Sequence, residues 1–480
     1  MTYFETAWAW LGELPALGLY LVLAWLAYVL GLSLWIILQK REPVATLSWV
    51  MSLALLPYVG FLIYFLLGPQ KIQRQRLRRG RSRSGLEQFS APNGDKPECL
   101  ELARLGQATT GLPPSSATSA QWLVDGHAKY EALLSAIADA RHHVHLEYYI
   151  WAPDKTGLRL RDALVDRARE GIQVRLLLDA VGAGGMRRRH LRPLLDAGAE
   201  IGWFHPTKFR PFTRPWLNLR SHRKVVVVDG RVGFVGGINV TDEENEALRP
   251  DAFRDLHLRM EGPVVRSLQL VFVEDWVYAA GCDPRAFGEA GYWPQVDDGP
   301  IGAQVLVSGP DSSWEAIHRL QVAAIHEARR RVWLVSPYFV PGEAARMALT
   351  SAALGGLDTR LLVPRRSDSR LATLAARSYF DELLKAGVKV YEYGPRMLHT
   401  KALLVDEDLC IVGSANFDHR SFRLNFEISA MLRDQDSCQA LERLLGGEFD
   451  QAERVRVDRA MGLWRHRLPE AFARLLSPLL

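Results

Sequence analysis

The sequence predicts an α/β protein of two similar halves, placed behind an apolar N-terminal segment that reads as a two-helix hairpin. Three observations predict it: a motif written twice, an alternation of strand and helix patterns that repeats with it, and two long uncharged runs near the start. The first motif is His222-Arg223-Lys224, four valines, Asp229-Gly230, then Gly236-Gly237-Ile238-Asn239. The second is His399-Thr400-Lys401, four apolar residues, Asp406, then Gly413-Ser414-Ala415-Asn416. A single His-x-Lys-x4-Asp arises easily by chance. Two copies with the same glycine-asparagine tail do not.

Residues 222–228 are rich in β-branched types, and Asp229-Gly230 signals a hairpin whose returning strand is 231–235. Side chains alternate along a strand, so His222 and Lys224 share a face and Asp229 does not. Asp229 and Asp406 are counted with the catalytic motif, but their parity suits holding the turn or a neighbouring helix. Gly236-Gly237 lets backbone approach a ligand closely, and Asn239 returns to the His/Lys face as a neutral donor. A neutral imidazole is a nucleophile and an ammonium stabilises anionic oxygens. Two such pairs facing each other can attack a phosphate from one side and protonate the leaving oxygen on the other.

From about residue 119 the α/β pattern repeats. Val144–Ile150 answers Val332–Tyr338, Val174–Leu178 answers Thr359–Val363, and Leu194–Ala199 answers Leu383–Val388. Helical spacing lies between, as in Leu160, Leu164 and Ala168. The expected domains are 119–297 and 298–480, preceded by a hairpin over 1–70 and a basic, Ser/Pro/Gly-rich connector over 71–118.

Ala16–Leu38 and Val44–Leu67 carry no charge. A helix rising ~1.5 Å per residue needs about 20 residues to cross a ~30 Å hydrocarbon core, so each run is long enough. Buried core helices are the alternative. Tyr3, Phe4, Trp8 and Trp10 suit an interfacial belt. Seven basic residues between Lys71 and Arg83 follow the second run, and the positive-inside rule then places the rest of the chain in the cytoplasm. Without them, 52 basic residues face 54 acidic ones, although the whole chain carries +5. The basicity is local, which argues against a nucleic-acid binder with a broad positive face. It suits anionic lipid.

Lys208, Arg210, Arg214 and Arg220, interleaved with Phe204, Phe209, Phe212 and Trp216, form a basic aromatic loop of interfacial character or an ordinary surface loop with partly buried aromatics. Arg187, Arg188 and Arg189 read as a solvated helix face. Cys99, Cys282, Cys410 and Cys438 make no Cys-x-x-Cys pair, and His142, His143, His145 and His190 have no metal-site spacing. No cofactor or metal is expected.

The doubled motif resembles the phospholipase D superfamily. More narrowly, the chain is similar to bacterial cardiolipin synthases. That match also rests on Arg41-Glu42-Pro43, on Phe253–His257 with Glu261-Gly262-Pro263, on Ser336–Pro341, and on the terminal Leu475–Leu480. The resemblance implies two sandwich domains related by pseudo-twofold symmetry, with both His/Lys strands meeting at their interface. It implies a bacterial inner-membrane enzyme, multi-pass, that joins two phosphatidylglycerols into cardiolipin and releases glycerol. His222 is then the nucleophile forming a phosphohistidine, and His399 the general acid and base. Lys224, Lys401, Asn239, Asn416 and Ser414 hold the phosphoryl group. Each His needs a carboxylate to fix its tautomer; Asp255 and Glu427, each following a motif asparagine, are the nominated acids. Gly237, where the second copy has Ser414, departs from the pattern and makes the half-sites unequal. A hydrolytic phospholipase D, a phosphodiesterase acting on nucleic acid and a catalytically degenerate scaffold are the alternatives.

Overall fold

The structure is a computed structural model of the chain; it describes residues 17–38, parts of 46–54, and residues 100–206, 219–312, 314–457 and 462–477. The residues expected in an aromatic belt, the basic cluster 71–83, most of the second apolar run, 207–218 and 478–480 lie outside the described residues.

Taken by itself, the N-terminal unit shows a helix, Leu17–Ile37, without a charged residue. Many of its apolar side chains are exposed, among them Leu19, Leu23, Leu26, Leu30, Leu34 and Ile37, while Ile36 is buried. Among the described residues no helix is long and apolar enough to cross a membrane. The expected two-helix hairpin is therefore not shown.

The rest of the described chain builds two large β-sheets and one two-stranded pair. It opens with a helix, Leu100–Thr110, and a strand, β1 (Ser115–Ala117), in a stretch whose composition reads as connector. Leu102, Ala103 and Leu112 are buried, which is what draws the stretch onto the body. Next come β2 (Ser119–Val124), β3 (His143–Tyr148), β4 (Gln173–Asp179), β5 (Glu200–Phe204), β6 (Val225–Val228), β7 (Val232–Gly236) and β8 (Leu256–Glu261). They form one sheet in the order β2-β8-β7-β6-β3-β4-β5. The second half supplies β9 (Ile301–Ser308), β10 (Arg331–Val335), β11 (Phe339–Val340), β12 (Asp358–Pro364), β13 (Lys389–Tyr393), β14 (Ala402–Val405), β15 (Leu409–Gly413), β16 (Phe417–Asp418), β17 (Glu427–Arg433) and β18 (Ala452–Arg454). Their sheet runs β1-β9-β17-β15-β14-β10-β12-β13-β18, with β11 and β16 paired apart. The repeat expected from sequence occupies matching places. β3 and β10 each lie between a parallel partner, β4 or β12, and the antiparallel motif strand, β6 or β14.

Alternation along the motif strands explains how the halves join. Val225 and Val227 share a core with Leu404, Val412 and Ile428 of the other half. Val226 and Val228 face the first half's own helices, and Leu403 and Val405 face those of the second. Each sheet thus gives one face to its outer helices and the other to a core shared with the partner sheet and with two helices, Val264–Ala280 and Gln435–Asp450.

The motif aspartates sit at the hairpin tips. Asp229 and Asp406 both take positive φ, +53° and +50°. The Asp229 carboxylate accepts backbone N–H groups from Arg141, His142 and His143 at 2.8–2.9 Å. Asp406 does the same for Arg329, Arg330 and Arg331. This corrects their grouping with the catalytic residues: each ties a hairpin tip to the start of the neighbouring strand. Phe204 and Arg220, at the two ends of the basic aromatic stretch, are buried, and Arg220 stands 3.6 Å from Asp179. Asp406→Ala should therefore lower stability by about 1–2 kcal/mol through three orphaned donors, with turnover per folded molecule retained. Thermal melts beside active-site titration check this, and a folded but inactive variant would return Asp406 to the chemistry.

Candidate active site

His222, Lys224, His399 and Lys401 lie on the extended approaches to β6 and β14, just before regular pairing starts. Backbone bridges hold those approaches across the two halves. The residue before each motif His pairs in parallel with the residue before an acid of the opposite half, Ser221 with Phe426 and Leu398 with Arg254. The amide of His222 donates to the Phe426 carbonyl at 2.9 Å, and that of Phe426 to the Arg220 carbonyl at 2.9 Å. In the mirror-image bridge, the amides of His399 and Arg254 donate to Arg254 and Met397 at 2.7 and 2.8 Å.

The bridges set each imidazole against the other half's carboxylate. His222 Nδ1 lies 3.0 Å from both oxygens of Glu427, and His399 Nδ1 lies 2.6 Å from Asp255 Oδ2. Both nominated acids are thus in place, but crosswise. A Nδ1–H donated to a carboxylate leaves Nε2 with the free lone pair.

The pair environments differ. Ser414 Oγ donates to Glu427 Oε2 and accepts the Ile428 amide, so this hydroxyl, expected on the phosphate, instead holds a carboxylate. At the matching position a Cβ on Gly237 would come within 2.4 Å of both Asp255 oxygens. A Cβ on Gly236 would likewise meet His257 Nδ1 at 2.5 Å. The first glycine pair therefore makes room for β8 and its acid, not for a ligand. The shorter Asp demands Gly; the longer Glu admits Ser.

Lys224 Nζ donates to the His222 carbonyl at 2.7 Å, and Lys401 Nζ donates to the His399 carbonyl and to Asp255. Burial pushes the His222 imidazole down to about 4, against the pull of Glu427. Burial also brings the Lys224 ammonium down to about 7; Glu427 opposes this, and Lys401 from the other half adds to it. Lys401 is lowered by burial too, with Asp255 opposing. Burial alone would raise Asp255, but Lys401 and His399 outweigh it and hold the carboxyl low. Glu427 is held low in the same way by His222 and Lys224. An imidazole that is neutral over most of the pH range, beside ammonium groups, can attack a phosphorus and stabilise the charge that develops.

Asn239 and Asn416 follow their glycine turns into the same region. Asn239 is held by Glu244, a residue the motif did not point to, and by Lys129 and Tyr130 through its carbonyl. The run Asp242-Glu243-Glu244 just past Asn239 was the available signal. His257 is wholly buried, and burial keeps it neutral. Glu244, Asp255 and His399 bring ligand atoms within 4.8 Å of one another, the one set among the described residues with metal-like spacing. Lys401 Nζ, 3.4 Å from Asp255, already supplies a positive charge there.

A family model described as "Cardiolipin synthase, PLD-like domain" matches residues 133–252 and 322–447. These spans hold both His/Lys motifs. The chain belongs to the cardiolipin synthase family. A second family model, "Phospholipase D-nuclease N-terminal", matches residues 22–69. Cardiolipin synthase of Geobacillus kaustophilus (strain HTA426) is 40% identical, covering 98% of this chain and 95% of that one. Cardiolipin synthase 2 of Bacillus anthracis is 39% identical, over 93% and 88%. Among solved structures, phosphatidylserine synthase of Haemophilus influenzae Rd KW20 superposes with a TM-score of 0.59 over 79% of this chain and all of that one. At 12% identity that likeness speaks for the fold alone.

The crossed pairing in this cardiolipin synthase family member makes a directional prediction. Glu427→Gln, in the second half, should lower the His222 pKa in the first half further, because the carboxylate is what raises it. Turnover should fall about 10- to 100-fold. An NMR titration of His222 that is unmoved by the change would rule the crossed pair out.

Proposed function

We propose that the protein is a transphosphatidylase that joins two phosphatidylglycerol molecules into cardiolipin and releases glycerol. The observation that carries the reading is the crossed arrangement: two imidazoles, each oriented by the opposite half's carboxylate, with a lysine beside each. High identity over nearly the whole length of named cardiolipin synthases supports the lipid substrate.

In the first displacement His222 Nε2 attacks the phosphorus of one phosphatidylglycerol. The bond from phosphorus to the headgroup glycerol oxygen breaks, and protonated His399 gives that oxygen its proton. A phosphatidyl-histidine remains and free glycerol leaves. In the second, His399 takes the proton from the headgroup hydroxyl of another phosphatidylglycerol. That oxygen attacks phosphorus, the P–N bond breaks, and His222 returns neutral. Lys224, Lys401, Asn239 and Asn416 stabilise the phosphoryl oxygens in both transition states. Glu427 and Asp255 fix the two tautomers and stabilise whichever imidazole is charged. The uncharged helix Leu17–Ile37 and the second apolar run support a membrane hairpin, with the catalytic halves cytoplasmic by the basic cluster after it.

Reconstituted protein given phosphatidylglycerol in the presence of a chelator should yield cardiolipin and glycerol. Phosphatidic acid as the main product would mean that water is the acceptor, and activity on nucleic acid alone would overturn the lipid assignment. His222→Ala and His399→Ala should each abolish turnover in a folded protein.

The pH dependence follows from the buried groups. Below about pH 4, His222 gains a proton and loses its lone pair. Above about pH 7, Lys224 loses its charge and the phosphoryl oxygens lose a partner. The kcat/KM profile, which reports the free enzyme, should therefore fall on both sides of that window. A rate still rising above pH 9 would contradict the role given to Lys224.

A further inference from the structure

The two motif asparagines are held differently, and the cause lies five residues past each. There the first half has Glu244 and the second has Ser421. Ser421 Oγ accepts only the Asn416 backbone amide, at 3.2 Å, and the Asn416 Oδ1 atom is buried without a hydrogen-bond partner. Glu244 grips Asn239 with both oxygens. Oε2 accepts the backbone amide at 2.6 Å and Oε1 accepts the side-chain Nδ2 at 2.7 Å. The Asn239 Oδ1 atom in turn accepts the Ile150 amide at 3.2 Å. The amide is thereby fixed from both ends, and one hydrogen on Nδ2 is left over.

Glu244 belongs to a short turn, Asp242–Glu244, capped by Thr241, and is 3% exposed. A carboxylate buried this deeply needs charge partners. Among the described residues it makes no ion pair with an arginine. Its surroundings are Lys129, Lys224 and Lys401, each of which it helps to keep protonated, with Asp255, His399 and the Tyr130 and Tyr148 hydroxyls nearby. Asp255 and Glu427 alone would leave three buried lysines facing two acids.

We propose that Glu244 is a positioning residue of the transfer site. It locks the Asn239 amide so that the remaining N–H meets a phosphoryl oxygen, and it supplies the third negative charge that balances the three buried lysines. The first half-site is thus a rigid donor, while the second keeps an asparagine with an open acceptor. This assignment rests on the phosphatidyl-transfer reading above.

The test uses the full chain in phosphatidylglycerol vesicles, with wild type, Glu244→Gln, Asn239→Ala, their double variant, and Glu243→Gln at the exposed neighbour as control. A wild type that exchanges no phosphodiester would sink the reading itself, whatever the variants do. With an active wild type, Glu244→Gln should lower kcat about 10- to 100-fold with little change in KM. It should also move the alkaline limb of kcat/KM to lower pH, since lysines without that carboxylate lose their protons sooner. The double variant should be no slower than the slower single variant, as expected when one residue acts through the other. Glu243→Gln should match wild type. Wild-type kcat with an unmoved limb in Glu244→Gln would overturn the proposal, and so would losses that multiply in the double variant. Should Glu244→Gln not fold, Glu244→Ser, which copies the second half, carries the same readouts. Failure of both to fold would make the carboxylate purely structural and overturn the proposal.

Discussion

The structure depends on two crossed pairs, His222 with Glu427 and His399 with Asp255, and on the backbone bridges that set them. Neither half holds a complete site. A histidine whose tautomer is fixed by its own domain would survive separation of the halves; here the orienting acid always comes from the other one. The geometry of the candidate site is consequently a property of the interface, and the shared apolar core between the sheets is what keeps that interface registered. Sequence order conceals this, because each acid lies only a short way past the motif of its own half.

Burial gives the site its chemistry and its difficulty together. Removing water lowers His222 and so keeps its imidazole neutral, but the same desolvation acts on Lys224 and Lys401 and disfavours their charge. Carboxylates that would otherwise be raised by burial are held ionised by those same cations. The groups therefore sustain one another, and a bound phosphodiester adds one more anion to a set already near balance. The two halves reach that balance by different means: Ser414 and a long Glu on one side, Gly237 with a short Asp and a direct lysine contact on the other.

Much of this was readable in the chain before any coordinates. The duplicated spacing located His222, Lys224, His399 and Lys401, and side-chain parity separated Asp229 and Asp406 from them, because strand alternation is a local rule. The acids Asp255 and Glu427 could be nominated by position, yet which histidine each serves is set by the packing of two sheets. Glu244 escaped for a related reason: an acidic run after a turn looks like solvated surface until its burial is known. The glycine pair misled as well. Glycine marks close approach, but sequence does not say whether ligand or neighbouring strand approaches. Composition failed at residues 100–117, where a polar, turn-rich stretch hides three apolar anchors and an edge strand.

That edge strand has a bearing on how the protein is partitioned. β1 precedes the entire first half in the chain, yet it pairs with β9 and completes the second sheet, while Gln304 Nε2 binds the carbonyls of Ala103 and Leu112 to secure it. The second sheet is thus assembled from strands that lie both before and after the first sheet in the chain. A cut at the apparent boundary would strip β9 of a neighbour and bare its hydrogen-bonding edge. No single cut between the two sheets' later strands therefore leaves both sheets whole, because one strand of the second stays attached ahead of the first.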